Sequence, residues 1–138
     1  MDPVLTAGGT AEPEIVDHAG LASDPELAGG FEESAHRILA ELVGAGAALG
    51  WVDPPPRDEV AELLDRVRTA ARAGDGALRA AYLDRRLVGL GYWVRYRQPV
   101  HRPHADLEKL AVDAAAHGRG LGRALTAALI ADARAAGV

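Results

Sequence analysis

Gly118, Gly120 and Gly122 stand within "HGRGLG", between the apolar run "LEKLAVD" and the alanine-rich segment "RALTAALIADARAAGV". A strand that enters a glycine-rich turn and then a helix brings main-chain N–H groups close to an anion. The first helical turn has N–H groups without intrahelical partners, and the helix dipole adds positive potential there. Glycine removes the side chains that would hold a diphosphate at a distance and permits backbone angles that other residues resist. The predicted chemistry is therefore phosphate binding. The spacing departs from both common nucleotide motifs: "GRGLGRA" is not G-x-G-x-x-G in register, and no G-K-[ST] ending marks a P-loop. Arg119 and Arg123 could add charge to a diphosphate, although arginines at such positions are often simply solvated.

Other residues invite weaker readings. His101 and His104 have a spacing that suggests a metal site, but "HRPH" surrounds a proline and lacks an obvious third ligand, so no metal is expected. Tyr92, Trp93 and Tyr96 suit either a substrate pocket or cross-strand core packing, and density on strands favours packing. Asp53, before three prolines, reads as a turn or cap residue. The chain has no cysteine, which excludes disulfides, thiolate metal ligands and a cysteine nucleophile.

The elements that would position these residues follow from periodicity. The chain has 138 residues, sufficient for one domain with a real core. Residues 1–13 lack periodicity and read as a flexible lead-in, leaving 14–138 as the folded domain. "EIVDH" suits a brief strand, after which Ser23 or Asp24 caps a helix with Pro25 at its first position. Phe31, Ala35, Ile38, Leu39, Leu42 and Val43 form one stripe on a helix running from Glu26 to about Leu49. The prolines at 54–56 stop it, and Val60, Leu63, Leu64 and Val67 make a second stripe that ends at Gly74. "ALRAAYLDRRLVGLGYWVRY" predicts a hairpin about the Asp84-Arg85 turn. "QPVHRPH" reads as a loop, "ADLEKLAVD" as a third strong strand, and Leu121, Leu125, Ala128 and Leu129 as one side of a final helix, with Val138 opening a further strand. Helices packed on a sheet make this an α/β chain.

With these residues in place, "HGRGLG" resembles the acyl-CoA pyrophosphate loop of the GNAT N-acetyltransferase superfamily, usually written [RQ]-x-x-G-x-[GA]. "LEKLAVD" looks like that family's fourth strand, and "RALTAALIADARAAGV" like its third helix leading to the fifth strand. The resemblance is close over residues 104–138 and topological over 14–97. It implies a mixed sheet flanked by helices, with the family's C-terminal strands missing beyond Val138. It departs at His117, where the family usually carries Arg or Gln, but the loop works largely through main-chain N–H groups that any non-proline residue supplies.

The resemblance further implies acetyl-CoA as co-substrate, held by Leu110, Ala111 and Val112 along the pantetheine arm and by His117, Gly118, Arg119, Gly120, Leu121, Gly122 and Arg123 at the diphosphate. It places Glu108 beside the acetyl group, where a carboxylate can act as general base toward an ammonium group; otherwise Glu108 is an ordinary exposed residue paired with Lys109. The implied activity is N-acetyltransfer to a primary amine on a small molecule or peptide. A noncatalytic acyl-CoA-binding or interaction module and a plain nucleotide-phosphate binder are the alternatives. A formal charge of -5 argues against nucleic acid. The absence of a signal-like start and of a long apolar stretch predicts a cytoplasmic chain off the membrane. Uncovered edges beside the implied missing strands predict homo-oligomerisation.

Overall fold

A computed structural model of the chain describes residues 12–95 and 105–138. Strand β1 (Glu14–Asp17) leads into the short helix α1 (His18–Ala22), then α2 (Pro25–Gly44) and α3 (Arg57–Arg72). Strands β2 (Gly76–Leu83), β3 (Arg86–Arg95) and β4 (Ala105–Val112) follow, and a 3-10 turn (Ala114–Ala116) connects to α4 (Leu121–Ala135). The described strands form one sheet in the order β1-β2-β3-β4, and each neighbouring pair is antiparallel. Tyr96, His101 and His104 lie outside the described residues. No helix among the described residues is long and apolar enough to cross a membrane.

Local chemistry explains most boundaries. Asp24, rather than Ser23, caps α2: its carboxylate accepts from the Leu27 N–H at 3.3 Å, with Pro25 in the first turn. The helix closes at Gly44, five residues short of the extent expected from its apolar stripe. Ala45, Gly46 and Ala47 turn their N–H groups back onto its last carbonyls, and Gly46 takes φ +98°. Asp17 caps α1, a helix too short to show periodicity in the sequence. The hairpin turns at Asp84 and Arg85, both left-handed (φ 50° and 65°), as a two-residue turn between right-twisted strands requires. Arg85 in that conformation is anchored by Asp24 at 2.7 Å and Glu26 at 2.6 Å.

The sheet separates two layers. Phe31, Ile38, Leu39, Val60, Leu64 and Val67 pack α2 and α3 onto one face, against Leu78, Leu90 and Tyr92. On the other face, Leu121, Leu125 and Leu129 of α4 pack over Ala81, Ala77 and Trp93. Gly89 and Gly91 of β3 allow that contact: a Cβ there would stand 3.1 Å from Leu125 Cδ1 and 3.0 Å from Leu129 Cδ1, respectively. Polar contacts also fasten α4 to the sheet. Trp93 donates its indole N–H to the Leu129 carbonyl at 3.0 Å, and Arg79 on β2 makes a two-pronged pair with Asp132, both contacts 2.7 Å.

Candidate functional site

The loop between β4 and α4 begins at Asp113. Its N–H is donated to Val88 O on β3, and its carboxylate caps the 3-10 turn at Ala115 N–H, 3.1 Å away. Arg37 of α2 reaches the same carboxylate at 3.1 Å. Partial burial pushes the Asp113 carboxyl upward, but the Ala115 N–H and the Arg37 guanidinium outweigh it and hold the group below the usual carboxylate range. His117 then donates its Nε2 proton to Val112 O at 2.8 Å, which ties the loop to the end of the strand. His117 thus acts as a brace for the loop.

Alternate residues of a strand direct their main-chain groups to opposite edges. Because Asp113 donates toward β3, the main-chain groups of Val112 and Leu110 face away from it. That edge of β4 pairs with no described strand. Ala111 differs: its main chain belongs to the ladder with β3 and its side chain is buried in the α2–α3 core. Of the three residues expected along the pantetheine arm, Leu110 and Val112 therefore present main-chain groups at the open edge.

Gly118 and Gly120 take φ +86° and +73°, the left-handed region in which glycine carries no Cβ penalty. Gly120 is the N-cap of α4 and supplies no side-chain hydrogen bond to the first turn, in contrast to the aspartates that cap α1 and α2. The leading N–H groups of α4 are thus left without a cap. They border a cavity of about 320 Å³ lined by Leu110, Val112, His117, Gly118, Gly120 and Gly122, with Ala116 and Leu121. A Cβ on Gly118 or Gly120 would meet no atom within 4 Å, so the space in front of this backbone is vacant. The arrangement fits a diphosphate: convergent N–H donors, helix-dipole polarity and no side chain across the approach. Arg119 lines an adjacent depression with Arg86 and Asp113, and Arg123 is exposed on the first turn of α4.

Glu108 lies on the opposite face of the sheet from α4. Tyr92 pairs with Lys109 while the next residue, Trp93, pairs with Leu107, so β4 carries one extra residue at Glu108. This β-bulge breaks the alternation of faces. Lys109 sits over the Trp51 ring, 4.8 Å from its centroid, and Glu108 borders a cavity of about 620 Å³ between α3 and the sheet. Two consecutive side chains consequently face the α2–α3 layer, and Glu108 makes no ion pair with Lys109. Tyr92 is the floor of that cavity, about 1% exposed, and its hydroxyl has no hydrogen-bond partner among the described residues. Burial, reinforced by the Glu108 charge, pushes the Tyr92 phenol well above its ordinary range. Trp93 is packed in the α4 layer, in keeping with the cross-strand reading. Sequence reasoning did not single out Arg37 and Asp113, whose mutual contact joins residues far apart along the chain, or Arg66, which shares the α3-side cavity with Glu108.

The acetyltransferase (GNAT) family profile matches residues 40–138. The chain belongs to the GNAT acetyltransferase family. No curated protein matches it. Among solved structures, an N-acetyltransferase from Staphylococcus aureus Mu50 superposes with TM-score 0.72 at 18% identity, covering 92% of this chain and 69% of that one. A GNAT superfamily phosphinothricin acetyltransferase from Sinorhizobium meliloti, in complex with AcCoA, gives 0.67 at 21% identity, with 91% and 60% covered. Ribosomal-protein-alanine N-acetyltransferase from Brucella melitensis gives 0.63 at 21% identity, with 89% and 67% covered. At such identities the likeness is one of fold, and the GNAT α/β fold expected from the sequence is the one observed. The chain spans 60% of the length of the second of these structures and about two thirds of the others.

Proposed function

We propose that this GNAT chain binds acetyl-CoA at the β4–α4 loop and takes part in transferring the acetyl group to a primary amine. The observation that carries the reading is the uncapped, glycine-led N-terminus of α4 set beside the open edge of β4. In this reading, acetyl-CoA supplies an acetyl group activated as a thioester. The N–H groups at Gly118 to Arg123 hold the diphosphate, and the open-edge groups of Leu110 and Val112 align the arm. Four residue rises separate Val112 from Glu108, about 13 Å along the strand, a distance that an extended pantetheine arm can span. In this reading the reacting carbonyl comes to lie at the bulge. Glu108 receives the proton lost from the ammonium acceptor, directly or through water, leaving the amine lone pair to form the new C–N bond as the C–S bond breaks; the departing CoA thiolate takes up the second proton released from the nitrogen, giving the N-acetyl amide and free coenzyme A. A main-chain N–H at the bulge polarises the carbonyl oxygen.

Calorimetry with acetyl-CoA, coenzyme A and ATP tests the loop assignment, and an amine panel assayed for acetylation tests the chemistry. Tight binding of the acyl-CoA with acetylation of an amine is the expected result. Binding without turnover would leave only an acyl-CoA-binding module, and preference for ATP would overturn the acyl-CoA reading.

A further inference from the structure

The 620 Å³ cavity against β4 is of small-molecule size and has an apolar body formed by Leu63, Val67 and Ala70 of α3 and Val94 of β3. Its charged rim divides into two sets. Asp75 and Arg95 are paired at 3.3 Å, and Arg95 also donates to Ala136 O at 2.6 Å; Asp65 is paired with Arg68 at 2.8 Å. Those groups are committed to the fold. Glu108 and Arg66 are not: neither side chain makes an ion pair or hydrogen bond among the described residues. Their charges act in opposition on the same group, the Tyr92 hydroxyl, which Glu108 pushes up in pKa and Arg66 pulls down. The cavity thus carries one unused anion and one unused cation among its lining residues, beside an apolar floor and a phenol that has no hydrogen-bond partner among the described residues.

We infer that the acceptor is a small amphoteric amine, an apolar body bearing both an ammonium and a carboxylate or similar anion, with Arg66 selecting the anion and Glu108 receiving the ammonium. The inference rests on the acetyltransferase reading for the role of Glu108. An amine lacking the anion would leave Arg66 unpaired at the rim. Arg66 is a specificity residue in this arrangement, because the proton transfer is assigned to Glu108. An arginine is suited to the task by its forked geometry toward carboxylates.

The test uses amines matched in body and differing only in the carboxylate: L-leucine against isopentylamine, and L-phenylalanine against phenethylamine. For each pair the ratio of kcat/KM for acetylation, and separately the ratio of calorimetric affinities without acyl donor, is compared between wild type, Arg66→Gln and Arg66→Lys. The acidic member should be favoured about ten-fold, the size expected of one partly solvated charged contact. Arg66→Gln should collapse that ratio toward one, and Arg66→Lys should restore part of it. A wild-type ratio near one, or a ratio unchanged in Arg66→Gln, overturns the inference. If acetyl-CoA fails to bind at all, the acetyltransferase reading falls by itself, while the Arg66-dependent amine affinities still decide this one.

Discussion

Gly120 offers the most direct test of the phosphate loop, because two effects of filling it can be measured separately. Its φ of +73° and ψ of 16° place it in the left-handed region, where a side chain costs about 1–2 kcal/mol. Replacing glycine by alanine also restricts the unfolded chain, which returns about 0.4–1 kcal/mol. No steric cost is added, since a Cβ would meet nothing within 4 Å. The net loss of stability for Gly120→Ala is therefore about 1 kcal/mol, or roughly 3–5 °C in Tm for a chain of this length. Gly120→Asn should lose less, because asparagine tolerates this region. Affinity should respond differently. The same Cβ projects into the vacant space before the α4 N–H groups, and lost hydrogen bonds to a charged ligand cost about 1.5–3 kcal/mol each. Acetyl-CoA affinity should thus fall about 30-fold or more in both variants, and further in Gly120→Val. Gly46→Ala is the control: φ is +98°, its Cβ direction is equally open, and it does not line the loop cavity. It should lose comparable stability and retain affinity. Calorimetry and thermal denaturation on the four variants decide the matter. Gly120→Asn with wild-type acetyl-CoA affinity would refute the assignment of the loop to the diphosphate.

Glu108→Gln should lower acetylation about 100-fold or more, the range for loss of a general base, with acetyl-CoA affinity unchanged by calorimetry; unaltered turnover would remove Glu108 from the proton path. Tyr82 is about 3% exposed, its hydroxyl has no hydrogen-bond partner among the described residues, and burial pushes its phenol up to about 12. The unfolded chain ionises first, near pH 10, so stability should fall as pH rises from about 10 to 12. Tyr82→Phe should remove that fall and leave stability at pH 7 equal or up to about 1 kcal/mol higher, as checked by urea unfolding at both pH values; a large loss at pH 7 would reveal a hydroxyl contact. The Arg79–Asp132 pair joins β2 to α4 with both side chains under a quarter exposed. A double-mutant cycle with alanine should yield a coupling of about 1–2 kcal/mol, and a value near zero would show that apolar packing alone docks the helix.

The residues that announce the loop are legible because their role is local. Gly118 and Gly120 need left-handed backbone angles wherever they are placed, and a helix start depends on neighbours only a few positions away. For the same reason the Asp84-Arg85 turn and the stripes of α2, α3 and α4 could be read from spacing. Locality also explains where such reading stops. The stripe of α2 does not report that the chain turns back at Gly44, and five residues of α1 are too few for any period to register.

What only the tertiary structure decided is the direction of Glu108. Strict alternation would place it on the α4 face with Leu110; the mismatch between consecutive residues Tyr92 and Trp93 of one strand and Lys109 and Leu107 of the other inserts it as an extra residue and moves it to the α3 face. Register between strands is a property of the pair, set by packing on both faces of the sheet. Its consequence, Arg66 and Glu108 lining one cavity with Tyr92, joins residues more than forty positions apart on separate elements. The sequence could name a loop that holds an anion and a carboxylate able to take a proton. That the two lie on one strand, the loop at its open edge and the carboxylate turned toward a separate cavity, follows from how that strand pairs.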